Sequence, residues 1–350
     1  MKGEVSKMYK IAKKDLASLF ALIKETNELY LPVKVAGETN FAAWTEDACV
    51  DLDTLKSVKS PKDVFFPQSE TLYTCHNEGK KIKITPEALV DQDFVVFGMK
   101  ACDVKGVEVL DRVFLTDPVD SFYAARRAHG TIVALACHEP EESCFCKVFG
   151  VDCAEPVADV AAWSVGEELY LKALTEKGEA LVEKVKALLT ETDDAAVEAE
   201  KAAIRAIVEK LPYANISLEG WNGEALTEKF NSELWNELYK PCLACGTCTF
   251  VCPTCQCYDI KDYNTGNGVQ RYRCWDSCMY SDFTMMAHGN NRTSQLQRFR
   301  QRFMHKLVYF PANNDGTYSC VGCGRCVDKC PASLNIVKVI KAFAEKGGNA

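Results

Sequence analysis

The sequence predicts an α/β (or α+β) domain over residues 1–220, followed by an α-helical domain over 221–350. Three observations carry this division. A length of 350 residues accommodates two domains. Within the first part, an apolar run at 93–99 (DFVVFGM), apolar residues at helical spacing over 104–115, and a second apolar run at 131–136 (TIVALA) read as strand, helix and strand. That order is a βαβ unit, which implies a parallel strand pair and a right-handed crossover. From residue 242 onward the composition changes: cysteine, arginine and methionine rise while strand signals fade.

The remaining elements follow in order. Residues 1–31 are studded with Lys, Glu and Asp and read as an amphipathic helix, with helical periodicity over 10–29; they lack the apolar core of a signal peptide. Residues 169–173 suggest another strand. Residues 181–211 are rich in Ala, Glu and Lys, with a break at 190–194, and predict a helical pair covering the sheet. Helical character returns at 221–239, 292–308 and 332–344.

Bulk properties exclude several function classes. A formal net charge of -8 gives no general attraction to nucleic acid or anionic membrane. No apolar stretch is long enough to span a bilayer. The 19 cysteines do not indicate a disulfide-rich secreted protein, because the chain is not small and many of them stand at metal-ligand spacings. Thiolates held for iron need a reducing compartment, so a cytoplasmic location is expected.

Eight cysteines form two copies of one pattern. Cys242, Cys245, Cys248 and Cys252, followed by Pro253, repeat as Cys320, Cys323, Cys326 and Cys330, followed by Pro331. Each copy is the bacterial ferredoxin run for a [4Fe–4S] cluster, in which the fourth cysteine of each run ligates the other cluster. The rule assigns Cys242, Cys245, Cys248 and Cys330 to one cluster, and Cys320, Cys323, Cys326 and Cys252 to the other. Zinc needs only four thiolates, commonly as two CxxC pairs, and fits a third step ending in Cys-Pro badly. The long connection over 253–319 points to an α-helical ferredoxin-like domain rather than a compact ferredoxin. Electron transfer is the chemistry such a pattern serves.

A second set lies in the first domain. Cys102 follows the first predicted strand and Cys137 the second, so both stand at the carboxyl edge of the sheet, where α/β domains place ligand sites. Cys144 and Cys146 follow in a loop, with Cys153 a little later. Cys102, Cys137, Cys144 and Cys146 could hold a third iron–sulfur cluster or zinc, or simply be packed. Cys255, Cys257, Cys274 and Cys278 could bind a further metal, but Cys255 and Cys257 follow Cys252 so closely that lining the cluster pocket is the favoured reading. Cys49 and Cys75 have no partner spacing. None of the five histidines forms a metal motif. Residues 271–306 hold seven Lys or Arg against Asp276 and Asp282; they could face a cluster, dock an acidic partner, or lie on a solvated helix face.

No GxGxxG stands between a strand and a helix, and no P-loop is present, so neither a dinucleotide nor an ATP site is expected. No nucleophile constellation is defensible from spacing. The chain should therefore act as a non-catalytic subunit between a flavoprotein and a catalytic partner. The alternative is a thiol/disulfide or sulfur-reducing enzyme working at Cys102, Cys137, Cys144 and Cys146; a third possibility is that the clusters only hold the fold.

The motifs GMKACD (98–103), ACHEP (136–140), CFC (144–146), CLACGTCTFVCPTCQC (242–257), WDSC (275–278), RQRFMHK (300–306) and CVGCGRC (320–326) together resemble a known family. It comprises the [4Fe–4S] dicluster electron-transfer subunits typified by the beta subunit of cytoplasmic sulfhydrogenases and by the dicluster subunit of anaerobic sulfite reductase. The resemblance implies a relay. A flavin-containing, NAD(P)-binding diaphorase subunit would exchange electrons with this chain. The chain would pass them singly to a hydrogenase, a sulfite reductase or a heterodisulfide-reductase-like module as the catalytic subunit. Cys274 departs from the family pattern.

Overall fold

The structure is a computed structural model and describes residues 7–347. Its strands of three or more residues are β1 (Met8–Ala12), β2 (Glu28–Val35), β3 (Glu38–Ala43), β4 (Ser69–Glu78), β5 (Lys81–Pro86), β6 (Phe94–Met99), β7 (Gly130–Leu135), β8 (Val160–Val165), β9 (Glu168–Ala173), β10 (Thr190–Thr192), β11 (Tyr258–Asn264) and β12 (Gly268–Trp275). An eight-stranded sheet runs in the order β10-β1-β9-β8-β7-β6-β2-β3. Its centre is parallel: β2 pairs with β6, β6 with β7, and β7 with β8. Every residue of β6 is buried, as expected of a parallel strand covered on both faces. The helix Ala101–Phe114 crosses from β6 to β7, with Val107 and Leu110 in the core beneath it. The mixed α/β character and the βαβ unit expected from the sequence are thus present.

Several expectations are corrected. The helical periodicity over 10–29 resolves into β1, a helix over Leu16–Lys24 and the start of β2; residues 1–6 of the expected amphipathic helix lie outside the described residues. Tyr9 and Ile11 face the core in a two-residue repeat, and pairing with β9 and β10 on both sides decides the local conformation. The segment 221–239 is not one helix but two short ones, Leu226–Asn231 and Trp235–Leu238.

The strand signals do not end at residue 242. The hairpin β11–β12 joins β4 and β5 in a four-stranded antiparallel sheet of order β11-β12-β4-β5. Segments on either side of residue 220 therefore share a sheet, and the C-terminal part is mixed rather than purely helical. The hairpin escaped sequence reading because β11 is polar and largely exposed, so its pattern has no apolar face. Arg273 of β12 anchors it: the guanidinium is 3% exposed and bonds Glu70 of β4 at 2.6 Å, and it also pairs with Asp120.

The helices Gln295–Met304 and Ile336–Gly347 pack around Trp235, Phe299 and Phe303 and enclose the two cysteine runs. These runs dock against the large sheet at close range. A Cβ on Gly106, in the crossover helix, would meet Pro253 at 2.6 Å. Gly322 has φ +62°, and a Cβ there would lie 2.3 Å from the carbonyl oxygen of Phe145. Glycine permits both the left-handed backbone and the contact, and the Phe145 N–H donates to the Gly322 carbonyl at 2.9 Å.

The central tie is a buried ion pair. Arg325, between the cysteines of the second run, donates to both carboxylate oxygens of Asp103, next to Cys102, at 2.7 and 2.8 Å. Their side chains are 3% and 1% exposed. Ser60 also donates to Asp103, and Arg325 donates to the Ser57 carbonyl, so the pair's remaining valences are used. Asp103→Asn should leave the buried guanidinium uncompensated and cost about 3–5 kcal/mol in anaerobic denaturation. The double change Asp103→Leu with Arg325→Met should recover most of that loss, because an apolar pair of similar volume avoids the desolvation cost.

Candidate iron–sulfur centres

Two cavities sort the eight cysteines of the repeated pattern. Cys242, Cys245, Cys248 and Cys330 line the first. Cys252, Cys320, Cys323 and Cys326 line the second, and Cys326 also reaches the wall of the first. Cys330 of the second run thus lies with three cysteines of the first, and Cys252 of the first with three of the second. Local backbone geometry produces this grouping. Ala244 and Gly246 have φ +53° and +75°, and Gly322 and Gly324 have φ +62° and +79°, so each loop curls around its cavity. The Ala244 N–H lies 3.4 Å from the Cys242 sulfur and the Leu334 N–H 3.2 Å from the Cys330 sulfur, both as donors. The short helices Thr247–Phe250 and Arg325–Asp328 then carry Cys248 and Cys326.

The charges around these cavities are cationic. Arg302 is 2% exposed, and its Nε and one terminal nitrogen have no hydrogen-bond partner; the other donates to the Cys248 carbonyl at 3.0 Å. Burial opposes its charge, but Cys248, Cys326, Cys255 and Cys252 outweigh that and hold the guanidinium protonated. Lys306 is 3% exposed, lies 3.4 Å from the Cys252 sulfur, and donates to Thr254 and the Ser319 carbonyl at 2.8 Å. Burial again opposes its charge, and Cys252 and Cys255 raise its pKa. Buried cations facing thiols need an anion between them. A tetrathiolate iron–sulfur cluster is such an anion, and this donor set fits it. Burial pushes the free Cys320 thiol up to about 12, so its thiolate forms only when a bound metal displaces the proton to solvent.

The basic segment 271–306 divides by depth. Arg302 and Lys306 face the cavities, Arg273 anchors the hairpin, and Arg298 and Arg300 donate to the carbonyls of Met279 and Phe230. No single charged face results.

The N-terminal thiols also converge. Cys102, Cys137, Cys144 and Cys146 are buried in one group with Cys153 and Cys323 of the second run. Parallel β6 and β7 deliver Cys102 and Cys137 to one sheet edge, as the strand order predicts. Sequence reasoning passed over Cys153, whose thiol hydrogen-bonds those of Cys137 and Cys146. The signal was its position, a short loop after Cys146. Lys100 was missed as well: it is 5% exposed, its amine has no hydrogen-bond partner, and its neighbours are Cys137 and Cys102. Lys56 bonds Ser143 at 2.6 Å beside Cys144.

Cys49 and Cys75 lie away from all these groups, and Cys274 is among Lys261, Asp259 and Asp276. Among the described residues, no three Cys, His, Asp or Glu side chains gather as closely as a single ion requires. The eight thiols of the repeated pattern surround spaces instead. No described helix is long and apolar enough to cross a membrane.

Comparison with known proteins agrees with this geometry. Residues 241–334 match the family model of the 4Fe-4S dicluster domain. The chain is 31% identical over 337 residues to the sulfhydrogenase 2 subunit beta of Pyrococcus furiosus, covering 93% of this chain and 95% of the relative.

His305, at the end of the helix that supplies Arg302, is held neutral by burial, then by Lys306 and Arg292, which lower its pKa to about 4. An unfolded histidine titrates near about 6.5. The unfolded chain therefore binds more protons between these values, and stability should fall as pH drops through that window, by at most about 1.4 kcal/mol per unit. Anaerobic melts from pH 7 to 4.5 should show this slope in the native chain and a flatter one in His305→Gln.

Proposed function

Since the chain belongs to the sulfhydrogenase beta-subunit family of iron–sulfur electron-transfer subunits, we propose that it relays single electrons between a catalytic redox subunit and an NAD(P)H-linked flavoprotein subunit. The sorting of eight cysteines into two adjoining thiol-lined cavities carries this reading. Cys242, Cys245, Cys248 and Cys330 would hold one [4Fe–4S] cluster, and Cys320, Cys323, Cys326 and Cys252 the other. Bound there, the clusters supply one-electron exchange. Cys326 lines both cavities, which keeps the two centres adjacent. Arg302 and Lys306 offset negative charge at that junction and favour the reduced state.

A third cluster in the N-terminal group follows from the same reasoning. Cys102, Cys137, Cys144, Cys146 and Cys153 supply at least four thiolates, and the unpartnered Lys100 amine is the charge that such an anion would balance. Cys102 faces Cys323, so this group adjoins the second cavity. All five thiols are buried, which favours a conduit over a thiol/disulfide enzyme that must admit a substrate. The site belongs to a cytoplasmic, oxygen-poor setting.

The chain purified anaerobically should be brown, bleach with dithionite and show no NAD(P)H–viologen activity by itself; activity from the pure chain would overturn the relay. Lys306→Met should lower the midpoint potential of one C-terminal centre in an EPR-monitored titration, with the other less affected. Lys100→Met should instead alter the signal of the N-terminal group. Mass spectrometry of co-purifying proteins should find a flavoprotein and a catalytic redox subunit.

A further inference from the structure

Cys255, Cys257 and Cys278 belong to neither cavity lining nor to the N-terminal group. Tertiary structure brings them together. Cys255 and Cys257 leave the first run after Pro253, and Cys278 arrives from the loop after β12. The Asp276 N–H donates to the Cys257 carbonyl at 2.9 Å, which ties the two segments. Cys257 interacts with Cys278, and Cys255 with both Cys278 and Cys252. Cys274, by contrast, sits on β12 among charged surface residues.

A buried amine again marks the place. Lys62, from the turn Pro61–Val64, is 2% exposed. Its amine donates to the Cys255 carbonyl at 2.7 Å and lies 4.0 Å from the centre of the Trp275 ring. Burial lowers its pKa, and the groups that act on it most are Cys255, Cys252, Lys306 and Cys257, with no carboxylate among them. Neutral thiols packed as small apolar groups would give a buried ammonium no compensation. Thiolates holding a metal centre would, and Arg302 and Lys306 lie close enough to Cys255 to share that field.

We propose that Cys255, Cys257 and Cys278 hold an additional iron–sulfur cluster beside Cys252, with one iron left to a non-cysteine ligand. Three soft thiolates select iron–sulfur, zinc or copper(I). The setting argues for the cluster, since Cys255 adjoins Cys252 of the second cavity, and metal analysis separates it from zinc or copper(I). Contact between Cys255 and Cys252 makes it a neighbour of the second cavity, so it extends the row of centres toward the hairpin β11–β12. The N-terminal group adjoins that cavity from another side, through Cys102 and Cys323.

The test is metal content, which does not depend on the relay or its partners. The full chain, reconstituted anaerobically, is assayed for iron, acid-labile sulfide and zinc beside the double variant Cys257→Ser, Cys278→Ser. The variant should lose about four iron and four sulfide per chain, while the signals of the paired C-terminal clusters persist. Unchanged iron in a folded variant overturns the proposal, as does about one zinc per chain lost in place of iron. If the variant does not fold, native mass spectrometry of the unaltered chain decides. Mass for four cubanes, about sixteen iron, is expected from this site, the N-terminal group and the two paired sites. Three or fewer overturns it when single serine changes at Cys242, Cys320 and Cys137 each remove a cluster and Cys257→Ser removes none. Loss of the Cys242 and Cys320 clusters alone would instead count against the relay.

Discussion

The bond between Arg325 and Asp103 is the constraint on which the arrangement of the thiol groups rests. Both residues are next to cysteines, Asp103 after Cys102 and Arg325 between Cys323 and Cys326. A fully buried ion pair tolerates little displacement, because losing one contact exposes an uncompensated charge to a low-dielectric surrounding. The pair therefore does more than attach one segment to another. It sets the position of the N-terminal thiols against the second cysteine run, and Cys102 faces Cys323 as a result. Gly322 and Gly106 serve the same contact by removing side chains that would hold the surfaces apart.

Around this tie the interior is organised by charge. Buried cations are rare in proteins because desolvation costs more than most packing returns. Here Arg302, Lys306, Lys62 and Lys100 are each at most 5% exposed, and all of them have cysteines as neighbours. Arg273 and Arg325 show the contrasting solution, since both are paired with carboxylates. The distinction separates cations that hold the fold together from buried basic groups set beside thiols, and it locates each group of thiols without reference to cysteine spacing.

The hairpin β11–β12 shows how fold and site depend on each other. It lies in the connection between the two cysteine runs, and its pairing with β4 carries the chain back over the first part of the molecule. Trp275 at its end packs on Phe66 and donates to the Phe66 carbonyl at 3.0 Å, which brings the following loop, and Cys278, beside Cys257. A helical connection would not have placed that thiol.

The ferredoxin runs, the βαβ unit and the sheet-edge position of Cys102 and Cys137 were legible from the chain alone. Each depends on local repetition: cysteine steps of three, apolar runs of strand length, and helical spacing between them. The first strand, the hairpin and the roles of Cys153, Lys62 and Lys100 were not legible. β1 and β11 are strands because neighbours offer unpaired backbone, and nothing in their own residues announces those neighbours. Lysine reads as a surface residue until the structure shows what encloses it. Local pattern thus determined which cysteines stand at ligand spacing, whereas only tertiary packing decided which thiols share a space and which buried basic groups lie beside them, because electrostatic compensation acts between segments far apart in sequence.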